Sequence, residues 1–324
     1  MRKAGGRVLV GLLLFLVVLI IYTIWDNNRI KVVEQDIAIN NLPDEVDGFK
    51  ILQVTDLHEK QFGENQGKLI EKINAIDYDV IVFTGDMLIS GTSNNYAPIY
   101  SLLEGIDNKE HALFVPGNSD PRTYVYDEDM NLKKHEFIEG MEKRGVKLLE
   151  SIRTVETEST DIHFVDFELS ILDPQKQAAI PTNARIAKYV QHRNQLRNEM
   201  SKLDAANDSD VVIALNHYPI VDARIDQIMN NPANLFRKYD LIMAGHYHGG
   251  QIRLPFIGAL FVPEPYYENG GLFPPQDRVK GLWEYKQTKQ YVSAGLGSSK
   301  TISFLKFRLF NTPEINVLKL KRKE

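Results

Sequence analysis

Hydrophobic patterning divides the chain into one long apolar run and many short ones. The long run, Val8 to Trp25, carries no charge, follows Arg2, Lys3 and Arg7, and ends at Asp26, Asn27 and Asn28. It is about as long as a helix needs to cross the hydrocarbon core of a bilayer, and longer than the apolar stretch of a cleaved signal peptide. No small-residue cleavage site of the A-x-A kind follows it, so the pattern predicts a retained signal anchor with Trp25 at the interface. Basic residues precede the run, while Asp26, Arg29, Lys31, Glu34 and Asp36 form a mixed flank after it. This asymmetry predicts a single-pass protein of the cell membrane, with a short cytoplasmic N-terminus and an extracytoplasmic domain.

Beyond the span, Ile30 to Asn40 reads as a strand and Leu42-Pro43-Asp44 as a turn. Five short apolar runs follow, at Phe49–Thr55, Val80–Thr84, Ala112–Val115, Val211–Asn216 and Leu241–Ala244, each stopping at a polar cluster as a buried strand does. Helical periodicity is predicted for Gln66–Ala75, Tyr96–Gly105, Leu132–Arg144 and Ala184–Leu203. Strand, helix and strand at this spacing imply an α/β fold. Val146–Glu168, Gly250–Val262, Leu282–Ala294 and Ile315–Leu320 alternate as antiparallel strands do. Mixed sheets are therefore expected.

Composition narrows the chemistry. The net charge of −5 leaves no global basic field, so a nucleic-acid partner is not expected. The chain has no cysteine, which removes disulfides, thiolate zinc sites and cysteine nucleophiles together. Any metal must sit on nitrogen and oxygen.

Each of the five apolar runs ends in such donors. In order they are Asp56-Leu57-His58, Gly85-Asp86, Gly117-Asn118-Ser119-Asp120, Asn216-His217 and Gly245-His246-Tyr247-His248. Donors at the carboxyl ends of neighbouring strands converge on one sheet edge, where α/β proteins place their sites. Oxygen and imidazole donors without sulfur suit manganese, iron, zinc or magnesium, and a set this large can hold two divalent metal ions about 3.5–4 Å apart. A shared carboxylate would fix that separation, and Asp86 is the natural bridge.

The ordered set resembles the calcineurin-like metallophosphoesterase superfamily, whose signature is D-x-H, G-D, G-N-H-[DE], a later H and G-H-x-H. Two longer strings, Gly245-His246-Tyr247-His248-Gly249-Gly250-Gln251-Ile252-Arg253-Leu254-Pro255 and Phe307-Arg308-Leu309-Phe310-Asn311-Thr312-Pro313-Glu314, are similar to its small bacterial membrane-associated branch, the YkuE-like phosphodiesterases. The resemblance implies a four-layer α/β/β/α sandwich over residues 48–324, after a cytoplasmic stretch 1–7, a transmembrane anchor 8–25 and a juxtamembrane segment with the first strand at 26–47. Asp56, His58, Asp86 and His248 would hold one metal, and Asp86, Asn118, His217 and His246 the other, with manganese favoured. The implied activity is hydrolysis of a phosphodiester or pyrophosphate by a metal-bridging hydroxide, with Asp86, Asn118 and Asp120 as catalytic residues. The anchor points to an envelope or lipid-linked phosphate ester as substrate. A phosphomonoesterase on the same metals remains an alternative.

One position departs from the pattern: serine stands at 119, where the family has histidine. In the family that histidine contacts the phosphoryl group and protonates the leaving alkoxide. A hydroxyl cannot replace an imidazolium as general acid, a role worth about 10²–10⁴ in rate. The departure predicts metal binding with a preference for good leaving groups such as phosphoanhydrides, or another acid, Asp120 and His135 being nearest in sequence. It also keeps open a non-catalytic metal-binding scaffold. Ser119, Arg122 and Arg253 are the expected substrate contacts, the arginines as bidentate phosphate clamps. His111, His163 and His192 fit no motif. The segment Phe256–Pro275, rich in aromatics, proline and glycine, is expected either to form a substrate rim or lipid contact, or to pack under the sheet.

Overall fold

A computed structural model describes residues 2–158, 160–207, 209–299 and 306–323. Its first element is the helix Arg2–Asn27. Leu12 to Leu16, five consecutive residues spread around the whole helix, are each at least half exposed, so the apolar surface is continuous around the axis rather than a stripe facing a core. Among the described residues it is the one helix long and apolar enough to cross a membrane. Its last turn is fastened to the domain. The Asn27 amide donates to the Arg308 carbonyl at 2.7 Å and its Oδ1 accepts from the Arg308 N–H at 2.8 Å, while buried Asp26 accepts from Thr312 at 2.7 Å.

Two six-stranded sheets follow. The first has the order Lys31–Ile39, Glu314–Arg322, Lys50–Val54, Val80–Phe83, Ala112–Phe114, Lys147–Leu148. Glu314–Arg322 pairs parallel with Lys31–Ile39 on one side and antiparallel with Lys50–Val54 on the other; the remaining pairs are parallel. The segment after the apolar helix is thus woven into the sandwich along its full strand. The second sheet has the order Gly281–Tyr285, Thr288–Val292, Leu241–Ala244, Val211–Leu215, Asp161–Asp166, Ile152–Glu156, parallel in its middle and antiparallel at both edges. Mixed sheets form as the alternation predicted.

Period-two placement of side chains explains why these strands carry no polar face. Val80 and Val82 enter the core between the sheets with Ile213, Leu215 and Met243, while Ile81 and Phe83 face outward onto Leu69, Leu102 and Phe137. On the far side Ala214 and Ile242 meet Phe167, Ile225 and Ile228. Helices therefore cover the outer face of each sheet, giving four layers. Polar side chains also cross the middle: Gln53, fully buried, donates to the Thr84 hydroxyl at 2.8 Å and to the Ala244 carbonyl of the other sheet at 2.9 Å. It ties the two sheets together directly below the strand ends that carry the site.

The expected helix Leu132–Arg144 forms only in its second half. Leu132–Lys134 pairs antiparallel with Tyr124–Tyr126, and the helix runs Glu136–Lys143 after His135, whose Nδ1 accepts from the Phe137 N–H. The apolar face begins only at Phe137, Ile138 and Met141, so the preceding residues have nothing to pack as helix.

Candidate metal centre

All five donor motifs sit in the turns that leave the carboxyl ends of five parallel strands, three on the first sheet and two on the second. These turns are unusual in backbone. Asp56, His58, Asp86, His246 and His248 all have positive φ, between 47° and 69°, a region sparsely populated by residues with a Cβ and one that persists only where the surroundings fix it. Glycine is required beside them. A Cβ on Gly117 would lie 2.2 Å from Asp86 Oδ1, and one on Gly245 would lie 2.5 Å from Asp56 Oδ2.

The side chains form two groups that share Asp86. Ligand atoms of Asp56, His58, Asp86 and His248 lie within 4.8 Å of one another, as do those of Asp86, His217 and His246. His58 Nε2 is 3.4 Å from Asp86 Oδ2 and 3.3 Å from His248 Nε2, which is 3.6 Å from Asp56 Oδ1. On the other side His217 Nε2 is 3.4 Å from Asp86 Oδ1 and 3.1 Å from both His246 Nδ1 and the Asn118 amide oxygen. One carboxylate thus turns one oxygen to each group.

Hydrogen bonds on the far side of each ring say which nitrogen carries a lone pair. His58 Nδ1 faces the Leu88 carbonyl at 3.1 Å and His217 Nδ1 faces the Thr84 carbonyl at 2.9 Å. A carbonyl only accepts, so these nitrogens carry the proton of the neutral ring, whose Nε2 then points its lone pair at other acceptors. His246 likewise bonds the Pro263 backbone and leaves its Nδ1 facing His217. Acceptors converging at such distances repel unless a cation lies between them, and two divalent cations fit this donor set.

The electrostatics carry the same message. Burial disfavours charge on His217, but Asp86 and then Asp56 outweigh it and push the imidazole up to about 9. His246 is lowered to about 3 by burial and by His217, and burial also lowers His58 and His248. Asp56 is pushed up to about 7, chiefly by burial, whereas His217 overrides burial at Asp86 and holds it well below the usual carboxylate range. A proton on His217 offsets part of this negative charge, and a bound cation would compete with it.

Other expected residues fall in different places. Ser119 is beside the centre: its N–H donates to Asp86 Oδ1 at 2.7 Å and its hydroxyl to Oδ2 at 3.0 Å. Asp120, expected as a catalytic acid, is buried and accepts from the N–H groups of Asp86, Met87, Leu88 and Gly117 at 2.8–3.1 Å. Burial, with Asp86, pushes it up to about 7, a value suited to an acid, but its oxygens face backbone. It clamps two turns together. His135 is committed to its helix cap. Arg122 is exposed, and Arg253 donates to the Gly249 carbonyl at 2.9 Å; neither lines the cavity at the donor groups.

That cavity, of about 380 Å³, holds His58, Asp86, Asn118, Ser119, His246 and His248 against an apolar wall of Ile89, Ile252, Leu260, Phe261 and Pro263. The aromatic segment after the last motif is therefore its rim. A second cavity of about 430 Å³ opens beside His217 and is lined by Asp166, Glu168, Arg193 and Tyr218. A third of about 380 Å³ lies between His58 and the end of the apolar helix, lined by Thr23, Asn27, Lys60 and Lys306.

Three contributors escaped the motif reading. Arg308, fully buried, donates to the carbonyls of His248, Ala294, Gly297 and Asn311 at 2.8–3.1 Å, and Asn311 also donates to the His248 carbonyl at 2.7 Å. They hold the final turn in its strained shape. Both fall in the second of the two long family-like strings, which was the available signal. Tyr218 lays its ring 4.4 Å from that of His246, and only its place after His217 could have marked it.

Comparison with known proteins agrees with this geometry. Residues 49–250 match the model of the calcineurin-like phosphoesterase family. The chain is 25% identical over 300 residues to an uncharacterized metallophosphoesterase of Bacillus subtilis, YkuE, covering 91% of this chain and 86% of that one. It is 27% identical over 320 residues to an uncharacterized metallophosphoesterase of Campylobacter jejuni, Cj0846, covering 96% and 70%. It is 24% identical over 314 residues to the UDP-2,3-diacylglucosamine pyrophosphatase LpxG of Chlamydia muridarum, covering 91% and 92%. The chain belongs to the calcineurin-like phosphoesterases, and its clustered carboxylates and imidazoles form the donor set of a dinuclear metal-dependent phosphohydrolase.

Proposed function

We propose that the protein hydrolyses a pyrophosphate or phosphodiester bond in a lipid-linked envelope substrate, as a member of the YkuE-like branch. The observation that carries the reading is the division of Asp86 between two donor groups. Asp56, His58, Asp86 and His248 are the ligands of one cation, and Asp86, Asn118, His217 and His246 those of the other, with manganese the favoured ion. When bound, the two cations supply a water acidic enough to attack near neutral pH and neutralise charge gathering on the phosphoryl oxygens. The chain's own part is positioning. The two hydrogen bonds from Ser119 fix the Asp86 carboxylate, Asp120 fixes the turns behind it, and Asn118 stands exposed at the mouth.

Ser119 supports a pyrophosphate over an alkyl ester. Its hydroxyl proton is engaged by Asp86, so no imidazolium stands ready to protonate a poor leaving group, and a leaving phosphate needs none. The apolar cavity wall and the helix end beside His58 support a substrate with a hydrocarbon chain, and the relative named a UDP-2,3-diacylglucosamine pyrophosphatase acts on one. In this reading the helix spans the cell membrane with the N-terminus in the cytoplasm and the sandwich outside. Full-length protein assayed in detergent with manganese is expected to cleave an activated aryl phosphodiester faster than the matching monoester. A non-catalytic scaffold, the second reading, is favoured by Ser119; it predicts no turnover and an Asp86→Asn variant indistinguishable from the parent.

A further inference from the structure

The segment Leu254 to Pro263 contains no charged residue, and its inner half lines the cavity at the donor groups. Its outer half is a hairpin, Arg253–Leu254 paired with Gly258–Ala259, with Pro255, Phe256 and Ile257 at the tip. Phe256 is fully exposed and Ile257 more than half exposed. Phe256 also has φ 67°, a conformation costly for a bulky residue. This is not a loose loop. Gln276 accepts from the Ala259 N–H at 2.6 Å and donates to its carbonyl at 2.9 Å, and the Arg253 N–H donates to the Leu309 carbonyl at 3.0 Å. A braced backbone that holds an aromatic ring wholly outside, beside further exposed apolar side chains, suits an apolar partner.

The fold indicates which partner. Phe256 and Ile257 share a groove with Phe310, itself 40% exposed, and the Phe310 ring lies 5.4 Å from that of Tyr22 in the apolar helix. Exposed Trp25 is 6.0 Å from Tyr22 on the same helix. Leu272 and Phe273, both exposed, are joined to the inner half of the segment through the Phe261–Leu272 bridge and the bond from the Phe273 N–H to the Leu260 carbonyl. The apolar surface of the helix is therefore joined to that of the domain through the Tyr22–Phe310 contact, with Arg253 and Gln276 bordering the shared groove. Aromatic and aliphatic groups without charge, next to the end of a membrane helix, match the acyl–headgroup boundary.

We propose that the Pro255–Ile257 tip, with Phe310 and Phe273, is a second membrane contact that inserts into the bilayer surface beside the helix. The proposal rests on the reading of the helix as membrane-embedded. Two contacts fix the tilt of the sandwich and turn the mouth walled by Leu260 and Phe261 toward the lipid, so that a bilayer-resident chain reaches it without leaving the membrane.

Because the chain has no cysteine, a single Phe256→Cys change in the full-length protein accepts one environment-sensitive fluorophore. Glu110→Cys, exposed and placed before the strand Ala112–Phe114 at the end of the sandwich away from the donors, is the reference. In phosphatidylcholine–phosphatidylglycerol vesicles the label at 256 is expected to shift to the blue, to be quenched by shallow spin-labelled lipid, and to show several-fold less iodide quenching than the label at 110. Equal iodide quenching at both sites, in protein that floats with the vesicles, overturns the hairpin contact and leaves the helix reading intact. Shielding at 256 from both quenchers overturns it in favour of a protein occupant such as a second copy. Failure to float overturns the membrane reading of the helix and the hairpin contact with it.

Discussion

Asp56, His58, Asp86 and His248 are all buried, whereas His246 is partly exposed and Asn118 reaches the surface. The first group also holds two carboxylates, and the second only its share of Asp86. A cation held by the first group would be attracted by two formal charges among buried side chains; one held by the second would have one shared charge and neutral donors nearer the surface, where solvent screens. Under the proposed assignment the first group is the tighter site. Cation titration of chelator-stripped protein is accordingly expected to show two steps, separated by at least about tenfold in affinity. A single step with equal affinities would remove the distinction.

The largest effect is expected where the two groups meet. Asp86→Asn removes the charge common to both, and the loss of activity and of both cations should exceed the roughly 10–100-fold that follows from losing a supporting partner. Native mass spectrometry or metal analysis should find neither ion retained after desalting. His246→Ala should act on one group only. The weaker cation step should move by at least about tenfold while the tighter step stays in place; movement of both would mean that the groups are not separable.

The parts of this arrangement legible in the sequence are those that lie at strand ends. Parallel strands buried on both faces read as unbroken apolar runs, so each donor motif announced itself as the first polar residues after such a run. The same logic located the parallel strands, and alternating segments elsewhere gave the mixed direction. What stayed hidden depends on contacts between distant turns. Asp120 sits in a recognisable motif, yet only the fold shows its carboxylate meeting four backbone N–H groups from two turns. Arg308 reaches the His248 carbonyl across 60 residues of chain, and no local pattern marks that. The helix expected at Leu132 failed for a local reason: its polar first half pairs as a strand because no apolar face requires it to coil.

Ser119 lies on the open side and gives a smaller effect. Restoring the imidazole with Ser119→His is expected to speed cleavage of poor leaving groups by about tenfold or more, within the range of general-acid catalysis, and to change activated substrates little. The substitution also removes the hydroxyl bond to Asp86, so metal affinity must be measured alongside. Equal acceleration of both substrates would mean that the missing acid does not limit the reaction.

The smallest effect tests how wet the open side is. Asp166 lines the cavity beside His217 and accepts from the Leu169 N–H at 2.7 Å as cap of the short helix Phe167–Ser170. Burial, offset in part by that N–H and by Arg193, pushes its carboxyl from 3.8 up to about 7. A folded-state value above the unfolded one means that the native protein holds this proton more tightly. The contribution to stability is therefore greatest below the unfolded value, falls as pH rises toward the folded value, and is level above it. Asparagine keeps the capping oxygen and cannot ionise. Asp166→Asn should leave stability nearly unchanged near pH 4 and raise it by about 1–3 kcal/mol at pH 8, less than the full shift implies because solvent reaches part of the group. Urea unfolding of the full chain in detergent at the two pH values measures the difference. Should the variant gain nothing at pH 8, water penetrates this cavity as freely as bulk solvent, and the contrast between the buried side chains of the first group and the more exposed ones of the second becomes sharper still.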